Sequence, residues 1–321
     1  MDKKDYLILA ELEKNSRIPV NQLAKKVGVS KEVANYRIKR LVKDKIISEF
    51  YAVINMNALG FSRSGCLIQL KNINASQERQ FIEFLQKHDF ITYLGSNLGK
   101  WNMAFDIIYR DRLHLEDIAK EITLKIHNKI ESLIVIGSIT DFEAFPLKVM
   151  GIRDEVSFDK PLKKVKVDET DLKIMELITN NSRIEYKELS AKLKMSANAI
   201  KYRIKNLESS GIIQGYTITI DARKLGYEWH NIQVKLTDIQ RENEIKSFLR
   251  KNQNVNYFYR HLGNENWDLD IGTVVKNSLE LRDFLLLLRE KFGDSIKIND
   301  IYSIVDLVKG NYAPKGVFQI K

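Results

Sequence analysis

The chain has one cysteine, Cys66, among 321 residues, which excludes an internal disulfide framework and a cysteine-rich zinc site. Its five histidines show no metal-ligand spacing, so no metal is expected. Only four prolines occur and hydrophobic residues make up 44%, which argues for an ordered protein rather than a disordered one. No apolar run approaches a membrane span, and the N-terminus MDKKDYLILAELEK mixes acids and bases where a signal peptide would be apolar. The expectation is a cytoplasmic protein without a membrane partner. A phosphate-cradling glycine loop and a catalytic triad motif are both missing, so no enzyme, catalytic residue or cofactor is expected.

What is present is positive charge in two places. The net charge is +10. Residues 1–50 hold twelve basic against seven acidic residues, and residues 160–215 hold the same numbers. The remaining 28 of each sign cancel. Excess charge confined to two windows of similar length is the footprint of a polyanion binder, not of an evenly solvated surface.

The two windows are copies. A shift of 166 aligns Asp5–Phe61 with Asp171–Tyr227 without a gap, roughly a third of the positions being identical. NSRI recurs at Asn15–Ile18 and Asn181–Ile184, YRIK at Tyr36–Lys39 and Tyr202–Lys205, and LG at Leu59–Gly60 and Leu225–Gly226. Further on, a shift of 164 pairs Gly99 with Gly263, Asn102 with Asn266 and Asp106 with Asp270. A period this long is a duplicated two-domain unit, not a solenoid.

Within a unit the hydrophobic period changes once. Tyr6, Leu9 and Leu12 stand at helical spacing over 2–14, Pro19 suits the start of a second helix over 20–27, and Ser30 caps a third over 31–45. Three short helices with a tight second turn at Gly28-Val29 describe a helix-turn-helix. The second unit repeats it over 168–180, 186–193 and 197–210, with Ser196 as cap and Gly211 as stop. Extended runs Ile47–Ile54 and Ile213–Ile220 follow. The next elements, with one strand expected over Leu133–Thr140, run βαββαβ in each unit. The expected domains are helix-turn-helix 1–50, linker strand 51–60, α+β domain 61–150, linker 151–166, helix-turn-helix 167–216, linker strand 217–226 and α+β domain 227–312.

A third helix of this kind enters the major groove, its first turns meeting base edges and its flanks phosphates. With Ala34, Ile38 and Leu41 inward, the outer face carries Lys31, Glu32, Asn35, Tyr36, Arg37, Lys39, Arg40 and Lys43; the second copy offers Asn198, Lys201, Tyr202, Arg203, Lys205 and Asn206. Arg37 and Arg203 are the expected phosphate clamps, and Lys31, Asn35, Tyr36, Asn198, Lys201 and Tyr202 the expected base-edge contacts. Double-stranded DNA is the expected partner, against the bland reading of a solvated basic helix.

With Asp5, Leu23-Ala24, Val29-Ser30, Tyr36–Leu41, Ile46-Ile47, Leu59-Gly60 and Gly99-Lys100-Trp101-Asn102, the chain resembles the leucine-responsive/asparagine regulator (Lrp/AsnC) family, twice over. The resemblance implies an α+β fold class: two winged helix-turn-helix domains, each followed by a ferredoxin-like, RAM-type domain. It also implies sheet-to-sheet pairing and sensing of an amino acid or related small molecule. Gly99, Trp101, Asn102, Gly263, Asn266 and Trp267 are the implied ligand loops, with Asn102 and Asn266 where the family has Asp. The competing reading for each glycine is a turn alone, and for each tryptophan a core aromatic. Two units in one chain imply an intrachain pseudo-dimer, with further homo-oligomers left open. Two other functions stay in view: a sirohaem decarboxylase-like enzyme, for the stretch Tyr257-Phe258-Tyr259-Arg260-His261, and an architectural DNA-binding protein without an effector.

Overall fold

The computed structural model describes residues 1–137, 139–144, 148, 161–163, 166–261, 266–310 and 313–319, except for the side chains of 139–143. The first copy runs α1 (Lys3–Lys14), α2 (Val20–Val27), α3 (Lys31–Lys43), β1 (Ile47–Ile54), β2 (Ser62–Leu70), α4 (Ala75–Lys87), β3 (Ile91–Leu98), β4 (Met103–Tyr109), α5 (Arg112–Lys125), β5 (Ile130–Val135) and β6 (Ile139–Ala144). The second runs α6 (Glu169–Asn180), α7 (Tyr186–Leu193), α8 (Ala197–Ser209), β7 (Ile213–Ile220), β8 (Glu228–Leu236), α9 (Glu242–Lys251), β9 (Val255–His261), β10 (Leu269–Val275), α10 (Ser278–Phe292) and β11 (Ile296–Lys309). The chain divides into two units, each drawing on both copies. The expected linker 151–166 lies outside the described residues except for 161–163 and 166.

One unit holds the six head helices. Asp2 and Asp168 cap α1 and α6 in reciprocal capping boxes with Asp5 and Asp171, which satisfies amide groups a helix start leaves without partners. Ser30 and Ser196 accept from Val33 N and Ala199 N, both at 3.2 Å, and so start α3 and α8. The turn before each of these helices needs a left-handed residue: Gly28 has φ +71°, and its counterpart Lys194 holds +52° despite a side chain. Ile8, not the expected Tyr6, joins Leu9 and Leu12 as fully buried core. The two extended runs are not separate linkers. β1 and β7 pair antiparallel, Phe50 opposite Ile218 and Tyr51 opposite Thr217, tying the copies together. The second α+β domain was expected to continue to residue 312. Instead the chain after Gly310 belongs to the head unit, where a 3-10 turn over Lys315–Phe318 packs on α6 with Val317 and Phe318 buried.

The other unit is a nine-stranded antiparallel sheet in the order β5-β2-β4-β3-β11-β8-β10-β9-β6. Strand side chains alternate between faces. On one face α4 and α5 cover Ile68, Phe105 and Ile107, and α9 and α10 cover Val234, Leu269 and Ile271. The alternate residues Leu67, Ala104 and Ile136 of the first copy pack with Trp267, Tyr302 and Ile304 of the second, in a layer that also holds Trp101. The single strand expected over Leu133–Thr140 is broken. Its first part, β5, pairs with β2, while β6 pairs with β9 of the other copy, Ile139 opposite His261. β11 is long enough to pair with both β8 and β3.

Register also corrects the alignment of the copies. Ile68 faces Met103 across β2 and β4, and Val234 faces Leu269 across β8 and β10. Both pairs differ by 166, so the shift of 164 holds for α9 and β9 but ends at the following turn. That turn is two residues longer in the second copy. Trp101 therefore corresponds to Trp267, and Asn102 to Asp268 rather than to Asn266.

Candidate nucleic-acid interface

On α3 and α8 the inward stripe is Ala34, Ile38 and Leu41, matched by Ile200, Ile204 and Leu207, all buried. The opposite face is open. Lys31, Glu32, Lys39 and Lys43 are exposed on α3, and Asn198, Lys201 and Lys205 on α8, with Asn35 half-buried. Tyr36 and Tyr202 keep 65% and 67% of their surface exposed. Rings this large left in water at equivalent positions of two basic helices suit contact with a partner better than packing. Among the described residues, Lys31, Lys39, Lys43, Lys201 and Lys205 have no carboxylate within salt-bridge distance, so their charge is not neutralised within the chain. Glu32 is held below its usual pKa by its own backbone N–H and by Ser30. It puts a carboxylate at the start of α3 where α8 has the neutral Asn198.

The two expected phosphate clamps are placed otherwise. Arg37 Nη1 donates to both oxygens of Asp2, each at 2.8 Å, and to Asp5 Oδ1 at 2.9 Å. Arg203 Nη1 repeats this with Asp168 at 2.8 Å and Asp171 at 2.9 Å. Their side chains are only 19% and 30% exposed. Both guanidiniums are committed to the helix caps of α1 and α6, so they tie α3 to α1 and α8 to α6. Arg40, expected on the outer face, also turns inward, to Asp5 at 2.5 Å. Asn206 stands in its place in the second copy, where Asp171 lacks that partner.

Among the described residues, those of the expected ligand loops differ in burial and in partners. Trp101 and Trp267 are each 1% exposed, their rings 6.3 Å apart. Trp101 Nε1 donates to Gln233 Oε1 at 3.3 Å, and Trp267 Nε1 to Asp270 Oδ2 at 2.7 Å. They are core aromatics. Asn102 Oδ1 accepts from Leu70 N at 2.7 Å, fixing the turn to β2. Asp268 does the same for Leu236 N at 2.9 Å, so the second copy keeps an acid at this place. Asn266 is exposed, and Gly263 lies outside the described residues. Gly99 has φ +128°, and a Cβ there would come within 3.2 Å of Tyr302 Cβ, so a turn in close contact with β11 requires the glycine. A groove of about 590 Å³ on the helical side of the first copy, lined by Phe84, His88, Phe90, Glu121 and Lys125 among others, includes none of these loop residues.

Sequence reasoning missed a buried polar group beside the indoles. His261 Nε2 lies 3.0 Å from Asp270 Oδ2, and Asn231 Nδ2 donates to the Tyr257 hydroxyl at 3.1 Å. His261, Asp270, Asn231 and Gln233 are all at most 1% exposed. The available signal was alternation: Asn231 and Gln233 occupy the inward positions of β8 that Gly65 and Leu67 occupy on β2. Of the stretch Tyr257–His261, Phe258 is buried on the helical side and His261 in the inner layer, while Tyr257, Tyr259 and Arg260 are half-buried.

Residues 1–48 and 167–214 each match a family model described as winged helix-turn-helix DNA-binding. An uncharacterised HTH-type transcriptional regulator of Pyrococcus furiosus is 34% identical over 95 residues, 30% of this chain and 64% of that protein, so the match spans just under two thirds of that relative. The HTH-type transcriptional regulator LrpC of Bacillus subtilis is 36% identical over 102 residues, 31% of this chain and 69% of the relative. Among solved structures, the siroheme decarboxylase NirDL superposes with a TM-score of 0.64 over 99% of this chain and 96% of its own, at 13% identity. At that identity the likeness is one of fold alone.

Proposed function

The chain belongs to the Lrp/AsnC family of helix-turn-helix transcription regulators, and from that premise we propose that it reads an asymmetric duplex site through two unlike heads. DNA binding and regulation come with the family. The finer reading rests on one observation: α3 and α8 are equivalent helices whose exposed faces differ. Lys31, Glu32 and Asn35 on α3 stand where α8 has Ala197, Asn198 and Lys201. A Glu suits a cytosine amino group in the major groove and an Asn suits adenine, so the heads favour different half-sites. A homodimer of identical heads favours a palindrome.

The pairing of the two copies through β3–β11, β6–β9 and the layer around Trp101 supports an intrachain pseudo-dimer as the working unit. The test is selection of binding sites from random duplexes by the intact chain, followed by footprinting. Two dissimilar half-sites are expected; recovery of palindromes would overturn the reading.

Small-molecule response is the second part of the proposal. With both indoles sealed, it would act through the exposed Asn266 and the turns held by Asn102 and Asp268. Thermal unfolding across a panel of amino acids and related metabolites tests it, a ligand-dependent midpoint that also changes DNA affinity being the supporting result. The tetrapyrrole-enzyme alternative rests on the shared fold. A coloured purified protein with a porphyrin absorption band would favour it.

A further inference from the structure

The NSRI segment occurs in both copies yet contributes nothing to α3 or α8. In the structure Asn15–Ile18 and Asn181–Ile184 form the turns after α1 and α6, and the two turns meet. Ser16 Oγ and Ser182 Oγ lie 2.5 Å apart, both side chains fully buried. These serines are equivalent under the 166-residue repeat. A residue touching its own equivalent marks the local twofold axis that relates the two heads.

The arginines that follow trade bonds across this axis. Arg17 Nη1 donates to Ser182 O at 2.7 Å, and Arg183 Nη1 donates to Ser16 O at 2.6 Å. The Arg17 guanidinium stacks 5.2 Å from the Tyr186 ring and 5.3 Å from the Tyr216 ring, and that of Arg183 lies 5.8 Å from the Phe50 ring. Among the described residues neither is ion-paired with a carboxylate, whereas Arg37, Arg63 and Arg203 all are. Burial pulls the pKa of Arg183 down, and the positive charge of Arg17 pulls it further the same way.

Two like charges drawn together and partly desolvated are unfavourable unless a counter-charge is supplied. Carbonyls and aromatic faces orient these guanidiniums without neutralising them. Each has five N–H donors in a rigid fork, and the bonds to carbonyls engage only Nη1. The rest of both forks, half-buried and beside the axis, suits a tetrahedral oxyanion, which accepts several charge-assisted bonds at once.

We infer that Arg17 and Arg183 together form one oxyanion site on the axis between the heads, taking a phosphate group. The phosphate is either a free anion or one in the DNA backbone, and the experiment separates the two. The full chain is compared with Arg17→Gln/Arg183→Gln and with Arg17→Lys/Arg183→Lys, in inorganic phosphate and in chloride at matched ionic strength. If a free anion fills the site, phosphate raises the unfolding midpoint of the wild type and, in part, of the lysine variant, above the general salting effect seen in the glutamine variant. If the DNA backbone fills it, phosphate gives no such excess, but the slope of log K against log salt on random duplex falls by about 0.9 in the glutamine variant, one phosphate contact being lost. No phosphate-specific stabilisation and an unchanged slope overturn the assignment. Should the double glutamine variant not fold, the single Arg17→Gln and Arg183→Gln variants carry both readouts, since each relieves the repulsion and leaves the other stack in place. The free-phosphate arm does not depend on DNA binding, so its outcome stands apart from that of the proposed readout.

Discussion

Arg37 and Arg203 show how one residue type divides between two tasks according to what lies within reach. A sequence places both on the outer flank of a reading helix; the fold supplies two carboxylates to each. Asp2 is held below the ordinary carboxylate pKa by the bond from Arg37, and Asp168 by the Asp171 N–H and then by Arg203. A carboxyl with a depressed folded pKa adds stability above its unfolded value, about 3.9, and loses it as pH falls through the folded value. Arg37→Met/Arg203→Met should therefore lower the unfolding midpoint at pH 7, and the gap from wild type should close as pH is taken below about 4. The same variant should keep its salt slope on DNA; a smaller slope would return these residues to the phosphate role. Lys194 offers the opposite kind of change. Its φ of +52° is one that glycine adopts without strain, so Lys194→Gly should raise stability by about 1 kcal/mol, read by denaturant unfolding.

On the proposed readout, α3 and α8 set what is recognised and their exposed lysines set how strongly. Lys39 and Lys205 are equivalent and exposed, so Lys39→Ala/Lys205→Ala should weaken binding to specific and random duplexes alike and reduce the salt slope by about 1.8, from two phosphates. Asn198→Ala and Asn35→Ala should instead cost about 1–3 kcal/mol on the selected site and little on random DNA. Equal losses on both kinds of DNA would make the two amides structural. Titrations at several salt concentrations separate these outcomes.

For the whole molecule, duplication has made two copies that meet through identical residues in places, as at Ser16 and Ser182, and through different ones in others. In the inner layer of the sheet unit, Asn231 and Gln233 replace Gly65 and Leu67, and Gln233 accepts the bond from Trp101. Gln233→Leu, which copies the first half, leaves the buried indole N–H without that acceptor and should destabilise the protein by about 1–3 kcal/mol. Calorimetry would read it; an unchanged midpoint would mean the bond is replaced. In the head unit the segment after β11 covers α6. Phe318→Ala should cost about 3 kcal/mol by truncating a buried ring, and a neutral result would show that this turn does not stay docked.

Sequence alone determined the duplication, the helix-turn-helix heads and the stripe that α3 buries. These are local facts: caps at Ser30 and Ser196, a helical stripe through Ala34, Ile38 and Leu41, and charge counted within short windows. It could not determine partners supplied from a distance. Arg37 finds its carboxylates 32 and 35 positions away, β6 leaves its own copy to pair with β9, and the chain after β11 returns to the head unit. Nor could identity of residue types align the turns before β4 and β10, because a two-residue insertion let Asn266 imitate Asn102 until strand register put Asp268 there. Hydrogen bonds and burial between segments far apart in the chain depend on how strands are ordered in the sheet, and no local period encodes that order. The arginine pair on the head axis is of the same kind: two ordinary surface-type residues in the chain, brought to a common axis only by the fold.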